Sequence, residues 1–276
     1  MQKKPLVSII VPTKNSGEFL GQCLESLTHQ SYDNIEIIVV DNNSSDTTVK
    51  IANRYTKNVF TMGPERSTQR NYGVKKSKGT CVAIIDSDMI LSKNIIQEGV
   101  DFFDTHDEKY AQLIIPEESK GEGYWASVKA YERSFYVGDE TIEAPRFFKK
   151  SVFIASGGYN EDIRGGGEEY DLPDRISDMG YKTGRVKSFI THLEGHLTLT
   201  ETTRTKYYYG KTAMYYLKSH PKSAARKFNL LRPVFIKKWD MLLFHPILAI
   251  SMVIMKLCEF GAGAAGMAKG LYEKHT

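Results

Sequence analysis

Apolar runs that break off on polar clusters set the rhythm of the first half of the chain. Leu6 to Val11 is apolar and β-branched apart from Ser8 and stops at Pro12, the pattern of a buried first strand. The polar loop Thr13-Lys14-Asn15-Ser16-Gly17 follows, and then Phe19, Leu20, Cys23, Leu24 and Leu27 recur at helical spacing on one face. Ile35 to Val40 is a second apolar run and meets Asp41-Asn42-Asn43-Ser44-Ser45-Asp46. Strand, helix and strand in this order predict a parallel βαβ unit. Asp46 is placed to cap a helix over Thr47 to Tyr55, and Val59 to Met62 reads as a short third strand. Thr80 to Ile85 does not alternate, so it reads as a central strand buried on both faces; it runs straight into Asp86-Ser87-Asp88. Ser92 to Phe103 has helical periodicity, and Gln112 to Ile115 is a further strand ended by Pro116.

The pattern changes after that proline. Residues 117–145 hold Gly121, Gly123, Tyr124, Trp125, Tyr131, Phe135, Tyr136 and Gly138, an aromatic segment that could hold a sugar ring or a lipid, or simply pack. Ala144 to Ile154 reads as extended. Gly165-Gly166-Gly167 then precedes Glu168-Glu169 at the start of a helix over 169–179 that ends at Gly180, and Thr183 to Ile190 reads as a strand leading to His192, with His196 four residues on.

Composition adds bounds. The 276 residues are 41% hydrophobic and 25% charged, enough for one α/β domain of roughly 200 to 250 residues with an appendage. Three scattered cysteines, Cys23, Cys81 and Cys258, argue against a disulfide framework or a zinc site and fit a reducing compartment. Met1 to Pro5 leads directly into the first strand, with no recognisable signal peptide. Charge is split along the chain. Residues 1–200 carry 24 Lys+Arg against 29 Asp+Glu, a net −5; residues 201–276 carry 13 against 4, a net +9. That basic tail also holds the most apolar stretch, Met241 to Met255. The combination suits an anionic membrane surface rather than nucleic acid, for which no binding motif accompanies the charge.

The candidate chemistry lies at predicted strand ends, where open α/β sheets bind ligands. Asp86 and Asp88 form an oxygen-rich pair that suits a hard divalent cation shared with phosphates, or else a capped turn. Asp41 stands beside the first loop, able to accept from a base or ribose. Arg70 carries a planar fork that could reach a diphosphate, or face solvent from a helix. Glu168 and Glu169 after three glycines place carboxylates where the backbone can come close to a ligand, or complement a helix dipole. His192, at a strand end near acids, is a ligand candidate.

The order of these pieces resembles the family 2 glycosyltransferases, over about residues 5–200. The resemblance is carried by Val7-Ser8-Ile9-Ile10-Val11-Pro12-Thr13-Lys14-Asn15, Leu24 and Ser26 with Gln30, Glu36-Ile37-Ile38-Val39-Val40-Asp41-Asn42, and Ser45-Asp46-Thr47. It continues through Arg70-Asn71-Tyr72-Gly73, Asp86-Ser87-Asp88, Gly157-Gly158-Tyr159, and Gly167-Glu168-Glu169-Tyr170-Asp171-Leu172 with Arg175. It implies a GT-A fold, an α/β, Rossmann-like and mostly parallel sheet flanked by helices, and inverting transfer from a nucleotide-sugar, UDP-linked in the family's commonest case. Donor-binding residues would be Pro12, Thr13, Asn15, Asp41, Arg70, Asp86 and Ser87. Asp88 would bind Mn2+ or Mg2+, with His192 as a further metal ligand and His196 the runner-up. Glu168-Glu169 falls where the family usually has Glu-Asp, whose second acid is often the catalytic base. Glu169 is one methylene longer, which leaves open which of the two acids reaches the acceptor.

The expected organisation is a catalytic domain over 1–200, with a nucleotide-sugar half (1–116) and an acceptor and base half (117–200), then a helical, basic and apolar region over 201–276. A span needs roughly 20 apolar residues; the run from Met241 is shorter before Lys256 and is interrupted by Pro246. An interfacial tail on the cytoplasmic face of the cell membrane, peripheral or monotopic, is therefore expected, with a cytoplasmic enzyme otherwise. A core helix or an oligomer contact would use the same residues. A glycan or lipid-linked acceptor would suit such a tail. A sugar nucleotidyltransferase would also use strand-tip acids, but Thr13 to Glu18 is a poor version of its Gly-rich basic loop. A nucleotide-sugar-binding or membrane-scaffold protein would have no need of Asp41, Asp86, Asp88, Glu168 and Glu169.

Overall fold

A computed structural model describes residues 4–163, 167–221 and 232–275. Its centre is strand β1 (Val7–Thr13), buried along its whole length. Parallel neighbours flank it on both sides: β2 (Ile35–Asp41) in register Val7 to Ile35, and β4 (Cys81–Ile84) in register Val7 to Cys81. Strand β3 (Val59–Thr61) adds in parallel beyond β2. The other side is built by β8 (Pro145–Lys149), antiparallel to both β4 and β6 (Tyr110–Ile114), and by β9 (Lys182–Arg185), parallel to β6. Among the described residues this gives a seven-stranded sheet in the order β3-β2-β1-β4-β8-β6-β9. A three-stranded sheet sits beside it, with β10 (Ile190–His196) between β5 (Met89–Leu91) and β7 (Glu117–Glu122).

Both faces of the large sheet are covered, which is why its first strands do not alternate. Val7, Ile9 and Val11 point into one core with Leu20, Leu24 and Leu27 of α1 (Leu20–Thr28). Ile10 points into the other with Val74, Phe148 and Leu172. Helix α2 (Thr48–Tyr55) begins where the Asp46 carboxylate accepts the Thr48 N–H at 3.0 Å. Helix α3 (Arg66–Lys76) lies so close to the sheet that a methyl group at Gly73 would run into Ile10 and Val40. Helix α4 (Ile95–Thr105) completes the first half.

Three expectations change in the second half. The extended reading of Ala144 to Ile154 holds for β8 alone, because Lys150–Ala155 forms a short helix, α6. The strand expected over Thr183 to Ile190 is two strands in different sheets. The Glu98 carboxylate breaks the run by accepting the N–H groups of Lys187 at 2.7 Å and Ser188 at 2.9 Å, and His192 lies inside β10, opposite Met89. The aromatic segment contains helix α5 (Tyr124–Tyr136). Its Tyr131, Phe135 and Tyr136 pack against Val234, Met252 and Met255, so these rings build a core. Helix α7 (Glu168–Asp178) starts at Gly167, whose φ of 115° is open to glycine.

The C-terminal region is helical: α8 (Leu199–Ser219), α9 (Pro233–Lys237), α10 (Trp239–Phe244) and α11 (Pro246–His275). A capping box between Thr198 and Glu201 starts α8. Pro246 separates α10 from α11 rather than breaking a span, and the glycine-rich stretch after Glu259 continues α11. Most of the basic segment over 222–238 lies outside the described residues. The three cysteines are free.

Candidate active site

The loops that follow β1, β2 and β4 are stitched into one rim. Thr13 Oγ1 donates to Asp41 Oδ1 at 2.8 Å, and the Ser44 N–H and hydroxyl donate to the same carboxylate at 2.8 and 2.6 Å. The Asp41 carboxylate is therefore buried and engaged as the organiser of its own loop. Asn15 sits at φ 48°, where its Oδ1 accepts the Ser45 N–H at 2.9 Å. Ser87 Oγ donates to Ser16 Oγ at 2.8 Å. Gln69 of α3 donates to the carbonyls of Thr13 and Val40, fixing the helix to the same strand ends. Pro12 lies within β1, beside Val40 in the ladder.

Beneath this rim lies an alternating lattice of acids and guanidinium groups. Arg70 is fully buried. One Nη lies 2.7 Å from Asp86 Oδ1 and 3.3 Å from Glu169 Oε1, and the other lies 3.6 Å from Glu168 Oε1. The fork thus faces three carboxylates, and Tyr159 covers its face at 5.1 Å. Its Nε and Nη1 are buried without a hydrogen-bond partner among the described residues. Arg146 of β8 closes the ring, 3.2 Å from Asp86 Oδ2 and 3.7 Å from Glu169 Oε1, with Glu117 bound at its Nε. Burial alone would lift the Asp86 carboxyl, but Arg70 and Arg146 outweigh it and hold the group well below the usual carboxylate range.

The two glutamates at the head of α7 have different surroundings. Glu168 is buried and pairs with Arg66 at 3.2 Å. Burial lifts its carboxyl above the usual range; Arg66 opposes that shift and the charge on Glu169 adds to it. Glu169 is one-third exposed. Its Oε1 faces Arg70 and Arg146, and its Oε2 has no hydrogen bond among the described residues. Glu169 is therefore the more accessible acid of the pair.

Asp88 stands apart from this lattice. Its Oδ1 is buried and without a hydrogen-bond partner among the described residues, and its Oδ2 lies 3.3 Å from His192 Nε2. On its other side, His192 Nδ1 is 2.8 Å from Arg133 Nη1. No three His, Cys, Asp or Glu side chains converge on a cation position among the described residues. His196 ends β10, with Gly123 as a neighbour.

The structure thus brings Arg70, Asp86, Glu168 and Glu169 into one cluster and sets Asp88 and His192 side by side. Thr13, Asn15, Asp41 and Ser87 form the rim above. Arg66, Glu117, Arg133 and Arg146 were not read from the sequence. Arg146 lies between Pro145 and Phe147 in a strand whose following residues are Phe147 and Phe148, where a charge amid apolar neighbours signals a buried ion pair, and that signal was available.

Known proteins share the sequence family and the fold. The sequence model of glycosyl transferase family 2 matches residues 8–160, and the chain belongs to that family. Among curated relatives, glycosyltransferase GlyG of Streptococcus pneumoniae is 32% identical over 117 residues, covering 40% of this chain and 38% of the relative. The poly(ribitol-phosphate) beta-N-acetylglucosaminyltransferase TarS of Staphylococcus aureus is 31% identical over 108 residues, covering 36% of this chain and 19% of TarS. The chain spans well under half the length of these relatives in the matched region. Among solved structures, the mannosyltransferase PcManGT of Pyrobaculum calidifontis, in complex with GDP-Man and Mn2+, superposes with a TM-score of 0.65 at 16% identity, covering 99% of this chain and 89% of that one. TarS residues 1–349 in complex with UDP-GlcNAc gives 0.51 at 17% identity, covering 98% and 92%. These likenesses extend the shared fold through the C-terminal helices.

Proposed function

We propose that the protein is an inverting glycosyltransferase that moves a sugar from a nucleoside diphosphate, UDP for preference, to an acceptor hydroxyl of a glycan or lipid-linked precursor. The observation that carries this reading is the contrast within Glu168-Glu169: one acid buried, the other exposed and held from one side by Arg70 and Arg146. A carboxylate fixed on one oxygen and open on the other suits a general base.

In this reading the nucleotide lies along the rim of Pro12, Thr13, Asn15, Asp41 and Ser87. Asp86 acts mainly through its arginines, keeping them, and hence Glu169, in place. The acceptor oxygen forms its bond to the anomeric carbon as the bond from that carbon to the diphosphate oxygen breaks. Glu169 takes the acceptor proton, and the nucleoside diphosphate departs with the bonding pair. Asp88 and His192 would hold Mn2+ or Mg2+. The orphaned Asp88 Oδ1 fits such a cation, and a two-residue set leaves room for phosphate oxygens. When bound, that ion supplies charge neutralisation for the diphosphate.

The catalytic unit is proposed to occupy 1–200, with donor binding in 1–116 and acceptor and base functions in 117–200, and 201–276 holding it at a membrane. The Pro246–Glu273 stretch of α11 is long and apolar enough to cross a bilayer. An interfacial placement is favoured by the row of exposed side chains Leu243, Phe244, Ile247 and Ile250 with the exposed Lys237 nearby in sequence. Incubation of the full chain with a panel of labelled nucleotide-sugars and Mn2+ tests the activity. Release of nucleoside diphosphate from one donor is expected; no release from any, with or without bacterial lipid extract as acceptor, refutes it.

A further inference from the structure

A cavity of about 570 Å3 opens on the far side of Glu169. It meets the acid cluster at Glu168, Glu169 and His192, and its described lining includes none of the rim residues Thr13, Asn15 or Asp41. Helices α5, α8 and α11 supply much of its remaining wall, so the C-terminal helices enclose part of this space. Cations crowd this cavity, and most are paired. Lys129 lies 2.8 Å from Glu132 and 3.1 Å from Glu259; Arg66 is held by Glu168, Arg133 by Glu117 and Glu194, and Lys256 by Glu132. Lys206 of α8 differs. It is half-buried and lines the same cavity, yet it has no hydrogen bond or ion pair among the described residues. Its ammonium has the Tyr209 ring 5.7 Å away. Burial and the charges of Lys129 and Lys256 disfavour its ammonium, and the carboxylates of Glu259 and Glu132, which offset this in part, are already engaged by those two lysines, so a further anion would be stabilising.

We propose that this cavity is the acceptor site and that Lys206 selects acceptors bearing a phosphate on the same molecule as the reacting hydroxyl. The proposal rests on the glycosyl-transfer reading above and adds the class of acceptor. A compact ammonium suits a phosphate as a point charge. The same cavity holds Glu169 for the hydroxyl, so both groups of one molecule are served within it. Beyond Lys206 the walls turn apolar, with Leu217, Phe260 and Met267. They admit a hydrocarbon portion without requiring one. A phosphate on a lipid and a phosphate within a soluble glycan present the same headgroup to Lys206.

Calorimetric titration of the full chain with inorganic phosphate and with dodecyl phosphate tests this, with neutral dodecyl maltoside as control. Wild type, K206Q and K206R are compared, alongside UDP and GDP with Mn2+. Phosphate-bearing probes are expected to bind wild type and K206R, and K206Q to lose about tenfold or more of that affinity while keeping nucleoside diphosphate binding. Dodecyl phosphate binding far more tightly than inorganic phosphate, with dodecyl maltoside silent, identifies a lipid phosphate; equal binding identifies a soluble phosphorylated glycan. Unchanged phosphate affinity in K206Q overturns the proposal. So does an equal loss of nucleoside diphosphate binding, which would put Lys206 on the donor. Failure of the wild type to bind any nucleoside diphosphate strikes the glycosyl-transfer reading instead.

Discussion

Arg70 and Asp86 meet at 2.7 Å, the arginine side chain fully buried and the aspartate nearly so. Removing one partner leaves an uncompensated charge in the interior. Arg70→Ala is expected to destabilise the fold by about 3–5 kcal/mol, measured by urea unfolding. Arg70→Lys keeps the charge but not the fork, so it should recover part of the stability while leaving transfer impaired, because Glu169 loses one of its two orienting groups.

Glu169→Gln keeps the shape of the side chain and removes the proton acceptor. Transfer should fall roughly 10²- to 10⁴-fold, with nucleotide-sugar affinity within a factor of about two. Near-normal turnover would reject Glu169 as base. The paired test, Glu168→Gln, should act chiefly on stability, since that acid lies buried against Arg66.

Asp88→Asn should remove the Mn2+-dependent part of nucleotide binding and leave the metal-independent part. Calorimetry with UDP or GDP, with and without Mn2+, reads the difference directly. Equal metal dependence in both proteins would show that Asp88 is not the ligand.

The contact between α5 and α11 carries a pH dependence. Burial alone would raise the Glu132 carboxyl, but Lys129 and Lys256 outweigh it and hold the group well below the usual range. A depressed carboxyl contributes stability that is complete above its unfolded value of about 4.3 and is lost as pH falls through the lower folded value. Hydrogen exchange in α5 and α11 should therefore be slow and constant from pH 8 to 5 and accelerate, after correction for intrinsic rates, in strong acid. Glu132→Gln should flatten that acid response.

Ile247 and Ile250 are 71% and 63% exposed on α11. Replacing Ile250 by Glu should weaken co-flotation with anionic liposomes, and high salt should weaken it in the wild type. Flotation unchanged by both would remove the membrane role proposed for this face.

The sheet was legible where its signals are local. β1, β2 and β4 are apolar runs that end on polar loops, so their order and burial could be read directly, as could the acids at their ends. Helix α5 was hidden because its buried face carries Glu132 among the aromatics, which interrupts the apolar period. Arg146 and Glu117 reach the site from distant segments that only the sheet order brings together, whereas Arg66 lies one turn before Arg70 on α3. That Arg70 is buried against Asp86, Glu168 and Glu169 follows from packing of α3 on Ile10 and Val40, which no local pattern around Arg70 announces.

The crossing of α8 and α11 is made by missing side chains. A methyl group at Gly210 would strike the Gly263 carbonyl, one at Gly266 the Tyr207 carbonyl, and one at Gly270 the Lys211 carbonyl. Those three contacts run along the stretch of α8 that carries Lys206. Each added carbon there would push one helix off the other and carry the ammonium with it. The width of the cavity is therefore written in backbone spacing, and if it holds the acceptor, a change of acceptor size follows from a single alanine at Gly266 or Gly270, neither of which lines it.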